Sequence, residues 1–302
     1  MSLLSSSVAR ADRPGRYLLG ALLALPFLYI AVFYAYPLYK VVALSLRDYQ
    51  IAFGIDDWVG LGNYSLLLSE PETWLTIGRT LLYTVVCVSV SFGLGLGMAL
   101  LTVALADAFA ERYGRIFRHI VIAPMIFIPA AAGVMWAFAY TEHYGWVNHI
   151  LIALGFTPYP WMVSDAAFFL VMVTDIWGWT PFMYLILLAA LQSLPQEPIE
   201  AARVDGANAW QVFRHVTFPL LKPVIAIALT IKTLDTYRAF DYLWIMTKGG
   251  PGTSSTTLNL ATYKTAFQNL DFGRASALAV ITMVFPLVVM IGFMVLRGRS
   301  AR

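Results

Sequence analysis

Leu81–Ala106 reads LLYTVVCVSVSFGLGLGMALLTVALA and contains no Asp, Glu, Lys or Arg. It outruns the roughly 20 apolar residues that carry a helix across a bilayer. Inside hydrocarbon every backbone N–H and C=O must be satisfied within the segment, which selects a helix. Three further windows are equally free of charge: Leu18–Tyr39, Ile120–Tyr140 and Ala275–Leu296. Two more, about Ala166–Gln192 and Phe218–Met246, are apolar but interrupted by charged residues. The pattern predicts an all-α integral membrane protein of about six spans.

Composition agrees. Of 302 residues, 60% are hydrophobic and 12% charged, against about a quarter charged in an ordinary soluble domain. Little is left for a water-facing domain. We expect short tails at 1–16 and 298–302 around one transmembrane domain, 17–297, with its core about 78–296. The first window is longer than the 7–15 residues of a signal h-region and no A-x-A site follows it, so it reads as an uncleaved signal anchor. One cysteine, Cys87, forms no internal disulfide. The net charge of +3 is no nucleic-acid signal, because the basic residues sit at the span ends.

Those span ends set an expected orientation. Arg10, Arg13 and Arg16 precede the first span, Arg112, Arg115 and Arg118 separate the second and third, Arg203, Arg214 and Lys222 separate the fourth and fifth, and Arg297, Arg299 and Arg302 follow the sixth. The opposite loops are sparser, with Lys40, Arg47, Arg79, Lys248, Lys264 and Arg274. The positive-inside rule places both termini and the loop after span four in the cytoplasm. On the other side, Arg47–Gly78 is expected to be a short loop with an aromatic lip (Trp58, Tyr64, Trp74). Lys248-Gly249-Gly250-Pro251 ends the helix after span five. Pro26, Pro124, Pro129, Pro181 and Pro286 fall inside spans, where neighbouring groups can satisfy the carbonyls they free.

The cytoplasmic loop, about 195–217, has a design of its own. Pro195 and Pro198 stop span four, and Glu197 and Glu200 then lie in the first turn of a new short helix, where carboxylates suit the dipole. Ala201, Ala202 and Ala207 are small enough for a partner surface to approach the backbone. Gly206 ends the first helical turns or permits tight contact. Trp210 and Phe213, i and i+3, are placed to anchor the second half against the spans, and Pro219 to open span five.

Glu200-Ala201-Ala202, three residues, Gly206, nine residues and then Val216-Thr217-Phe218-Pro219 resembles the signature loop of the membrane subunit of ATP-binding-cassette importers. The usual Ile-x-Leu-Pro ending is altered, with apolar bulk kept. Thr233–Asp241, Thr247–Gly252 and Phe272–Ala277 resemble the fifth- and sixth-helix regions of the carbohydrate-importing members. The resemblance covers about 61–296. It implies a coupling role for Glu200, Ala201, Ala202, Asp205, Gly206 and Ala207. It also implies a bacterial inner membrane, a second permease, a cytosolic ATPase dimer and an extracytoplasmic solute-binding protein.

The substrate path is expected from spans four and five. Lys232, Asp235, Arg238 and Asp241 all fall in the fifth window. Four lipid-facing charges would cost on the order of 10–14 kcal/mol, so this helix faces protein or water. Lys232, Asp235, Thr236 and Ala239 share one face at i, i+3, i+4 and i+7. Span four adds Asp175, Trp177, Trp179, Thr180 and Phe182 around Gly178 and Pro181, suited to stacking on a sugar. Internal salt bridges, such as Arg238 with Asp235 or Asp241, and aromatic packing near a kink account for the same residues without a ligand. Phe92-Gly93-Leu94-Gly95-Leu96-Gly97 mimics a dinucleotide fingerprint, but within a span it reads as close helix approach.

No G-x-x-x-x-G-K-[ST] occurs, so ATP is expected on partner subunits and not on this chain. The four histidines are scattered and no metal site or catalytic grouping is expected. A sugar or related polyhydroxy solute is the expected cargo. The alternatives are a polyol, a phosphorylated polyol or another small solute carried by a cassette permease, or a secondary transporter or channel.

Overall fold

The computed structural model describes residues 13–300, with side chains described from Leu22 to Val288 apart from 107 and 108. The expected tails therefore lie largely outside the described residues, Arg10 and Arg302 among them. The single expected domain is organised as two compact units. One comprises the chain up to Ser69 with Thr265–Ile281, and the other Glu70–Lys264 with Thr282 onwards.

The first unit opens with one unbroken helical run: α1 (Arg13–Ile30), a π turn (Ala31–Ala35) and α2 (Tyr36–Ser45). Every residue from Leu22 to Lys40 is exposed, and an apolar helix without protein cover is stable only against lipid or another chain. The expected loop at 47–78 is more structured than its mixed composition suggested. Strands β1 (Arg47–Gln50) and β2 (Ile55–Trp58) pair antiparallel as a hairpin whose turn needs Gly54 at φ +66°. Arg47 Nη1 donates to Asp56 Oδ1 at 2.8 Å, which raises the guanidinium pKa above its ordinary value. Helix α3 (Gly62–Ser69) follows, and the buried Asn63 amide donates to the Ser45 and Arg47 carbonyls at 2.9 and 2.8 Å.

The second unit holds α4 (Pro71–Ala108), α5 (Glu111–Ile122), α6 (Pro129–Ala139), α7 (Trp146–Ala153), α8 (Ala167–Gln192), α9 (Glu197–Val204), α10 (Ala209–Val212), α11 (Phe218–Tyr237) and α12 (Asp241–Thr247). Helices α13 (Leu258–Phe267) and α14 (Phe272–Ser300) contribute residues to each unit. The 38 residues of α4 reach about 57 Å, beyond the roughly 30 Å of hydrocarbon in a bilayer. It packs along α8, and Gly95 makes that possible. A Cβ there would sit 2.8 Å from Met183 Cβ and 2.9 Å from Tyr184 N, whereas Gly93 and Gly97 face open space. Thr102 Oγ1 and Tyr184 OH close the same seam at 2.9 Å.

Among the described residues four helices are long and apolar enough to span: Leu22–Ser45, Pro71–Ala106, Ala167–Gln192 and Ala209–Tyr237. The other two expected spans differ in form. The Ile120–Tyr140 window is broken by a 94° bend between Glu111–Ile126 and Pro129–Ala139. Pro129 forces Ile128 into extended backbone, ψ 146°, and the helix cannot pass through it. The last window gives a shorter apolar helix, Phe272–Val288, within an α14 that runs on to Ser300. The fifth window also proves shorter than Phe218–Met246. Its helix stops at Tyr237, and α12 starts anew at Asp241. At its other end Pro219 stands in the first turn of α11, as expected, but the helical run reaches further back. It is continuous from Ala209 through a π turn at Phe213–Thr217, where the chain widens ahead of a proline that lacks the N–H for a regular turn.

Candidate functional site

Two regions of the second unit gather the residues singled out above. The loop between α8 and α11 is the first. Helix α9 begins with Glu197 and Pro198 in its first turn and buries no residue. Its end is a Schellman motif. Gly206 N donates to Arg203 O at 3.1 Å and Ala207 N to Ala202 O at 3.0 Å. Only a residue in the left-handed region closes that turn, and Gly206 has φ +84°. Glu200, Ala201 and Asp205 are exposed, Val204 is 88% exposed, and Ala202 and Ala207 are half-buried beneath.

Asn208 then caps α10 in a reciprocal box with Gln211. Gln211 N donates to Asn208 Oδ1 at 2.9 Å and Asn208 N to Gln211 Oε1 at 2.8 Å. The expected anchor is corrected here. Trp210 is 64% exposed and stacks on Phe213, with ring centroids 5.7 Å apart, and does not enter the spans. Val212 is the buried residue of α10. A hollow of about 690 Å³ under the loop is lined by Ile199, Arg203, Ala207, Val212 and Phe213 against Val103 and Leu191.

The second region lies between α8 and the end of α11. Lys232 is wholly buried, and its Nζ stands 2.6 Å from Oδ1 of Asp175, itself 2% exposed. The ammonium also lies 4.7 Å from the Trp179 ring centroid, a cation–π contact. Lys232 is therefore committed within the protein and is no free donor in a path, which corrects the expectation. Thr236 is likewise buried, and its hydroxyl has no hydrogen-bond partner among the described residues. Phe182 packs edge-on against Trp179 at 5.5 Å.

The helix break at Arg238 alters the rest of the stripe. Arg238 and Asp241 lie beyond the fifth helix and not within it, and Ala239 leaves the shared face. The break nonetheless collects them. Asp175, Trp179, Asp235, Arg238 and Asp241 line one cavity of about 220 Å³ with Tyr242 and Pro129. Arg238 Nη2 is 3.6 Å from Asp235 Oδ1. This small polar cleft, walled by Trp179 and the Tyr242 ring, can offer carboxylates, a guanidinium and an aromatic face to a hydroxylated solute.

Sequence reasoning missed the Asp175–Lys232 pairing, Tyr242 and the Asn208 cap. The cap was readable as Asn-x-x-Gln before Val212. Tyr242 was legible only through Gly178, whose missing side chain makes room for the Tyr242 hydroxyl. Asn148 was also missed. It is buried, donates to Glu142 O and Tyr159 O at 3.1 and 3.0 Å and accepts from Trp161 Nε1 at 2.9 Å, which fixes the segment after α6.

Residues 91–300 match the family model described as binding-protein-dependent transport system inner membrane component. A probable ABC transporter permease protein, y4oQ of Sinorhizobium fredii, is 40% identical over 77% of this chain and 74% of its own length. The trehalose/maltose transport system permease protein MalF of Thermococcus litoralis is 37% identical over 89% of this chain and 90% of its own. Among solved structures, a chain of a bacterial ABC transporter involved in import of the acidic polysaccharide alginate superposes with a TM-score of 0.81. That match covers 96% of this chain and 98% of the other at 21% identity, a likeness of fold.

Proposed function

This chain belongs to the binding-protein-dependent transport system inner membrane component family, and from that premise we propose that it imports a sugar or related polyhydroxy solute. It does so as one of two permeases, driven by an ATPase dimer that binds the nucleotide and supplied by an extracytoplasmic binding protein. The observation that carries the cargo is the extent of the match to a trehalose/maltose permease, about nine-tenths of both chains. The cleft of Trp179, Asp235, Arg238 and Asp241 supports it, since hydroxyl-rich solutes need convergent donors and acceptors beside a ring.

Helix α9 supplies the handle. It projects its Glu200–Asp205 surface from the protein with no buried residue of its own, held by a rigid Schellman turn and a capping box. The basic span ends support a cytoplasmic place for it, and both termini lie on that side. Arg115, Arg118, Gln192 and Gln196 line a common cavity, so the two basic loops meet at one end of the second unit.

The test is uptake by the assembled importer in proteoliposomes, with a panel of unlabelled mono- and disaccharides, polyols and peptides as competitors. A carbohydrate should compete best. Asp235→Ala should lower uptake about tenfold, the weight of one charge-assisted hydrogen bond, with basal ATP hydrolysis retained. Competition by none of the carbohydrates defeats the cargo assignment.

A further inference from the structure

A separate cavity of about 580 Å³ opens where α4 and α8 end and α5 begins. Helix α5 lies tight on α4 here, because a Cβ at Gly114 would meet Thr102 O at 3.0 Å and Ala106 Cβ at 3.2 Å. That contact sets Arg115 and Arg118, one turn apart on α5, in the wall of the cavity with the amides of Gln192 and Gln196. Arg118 Nε is cut off from solvent and has no hydrogen-bond partner among the described residues. Glu111 also lines the space, yet neither arginine forms an ion pair with a described carboxylate. A buried guanidinium N–H left unpaired is costly, and its best partner is an anion with several oxygens.

We infer that this cavity binds a phosphate-bearing anion, held by the forks of Arg115 and Arg118 and by Gln192 and Gln196. Guanidinium forks match phosphate oxygens two at a time, and two amides supply the remaining donors. Val103, Ala106 and Leu191 give the space an apolar side for the organic part of a phosphate ester. Its volume falls within the range of about 300–1,000 Å³ usual for small-molecule sites. Gln196 also lines the hollow under α9, so the occupant touches the residue from which that helix starts. Two sources carry this chemistry, a phospholipid headgroup and a free phosphate ester or ion.

The experiment uses the full-length chain in neutral detergent. Binding of phosphatidylglycerol against phosphatidylcholine is read by native mass spectrometry, and binding of inorganic phosphate by equilibrium dialysis. One of the two anionic probes should bind, and which one identifies the source. Arg118→Gln and Arg115→Gln should each weaken it about tenfold, and Glu111→Gln should tighten it. Leu191→Trp, which fills the cavity and keeps both arginines, should abolish binding, and this variant carries the test if the arginine variants do not fold. Lys222→Gln, an exposed cation on α11, should bind as the parent does. Failure of both probes, or binding that survives Leu191→Trp, overturns the site. Since no step requires uptake, failure here leaves the transport reading untouched.

Discussion

At Asp175 and Lys232 two opposite charges are enclosed between α8 and α11. Desolvating both cancels much of their attraction, so the pair adds little net stability, but removing one partner strands a buried charge. Lys232→Met should therefore lower stability by about 3–5 kcal/mol, and adding Asp175→Leu should recover most of that loss. Thermal unfolding in detergent checks it, and equal melting of the single and double variants refutes it. Gly206 poses a different residue-scale question, because its φ of +84° is closed to most side chains. Gly206→Ala costs about 1–2 kcal/mol in that region, enough to unwind the turn after α9. Gly206→Asn fits it better, since asparagine tolerates the left-handed region. In the assembled importer, uptake per ATP hydrolysed should fall for alanine and hold for asparagine. The reverse order sinks the strain argument.

At the scale of elements, the seam between α4 and α8 depends on one glycine of three. Gly95→Ala forces a methyl into Met183 and the Tyr184 backbone and should destabilise by about 1–3 kcal/mol. Gly93→Ala and Gly97→Ala meet nothing within 4 Å and should be neutral or gain about 0.5–1 kcal/mol. Melting temperatures of the three single variants decide it. The triplet was legible as a site of close approach, but not which glycine makes it, because that depends on the rotation of α4 against α8. The spans read similarly well, since an uncharged run longer than a bilayer has few other structures open to it. The ends read less well. The fifth window continued to Met246 in hydropathy, whereas the chain leaves the helix at Arg238, where Asn259 Nδ2 takes the Arg238 carbonyl at 2.8 Å. That tertiary bond leaves no mark on local composition. The loop after span four was legible in its turn chemistry, Gly206 above all. Lys232 misled because periodicity places a residue on a face and does not say whether a carboxylate 57 positions away already holds it.

For the whole molecule, the decisive quantity is the sidedness of the second unit. Between the segment around Tyr144 and the loop that carries Val204, α8 is the one described helix long and apolar enough to cross a bilayer, α7 being only eight residues long, and both residues are largely exposed. A single crossing would place them on opposite sides, and the excess of arginine around Arg112–Arg118 and Arg203–Arg214 supports the proposed cytoplasmic side for Val204. The one native cysteine, Cys87, is fully buried against α8 and gives no background. A membrane-impermeant maleimide should then label Tyr144→Cys in intact cells and leave Val204→Cys untouched, and inside-out vesicles should reverse the pattern. Labelling of both from one side would remove α8 as a span. A reversed pattern would put α9 where no cytosolic ATPase reaches it, and the coupling role of Glu200–Ala207 would fall with it. Sidedness thus joins the two halves of the proposal, because a handle at α9 can couple an import path through the cleft at Asp235 to nucleotide only if it faces the cytosol.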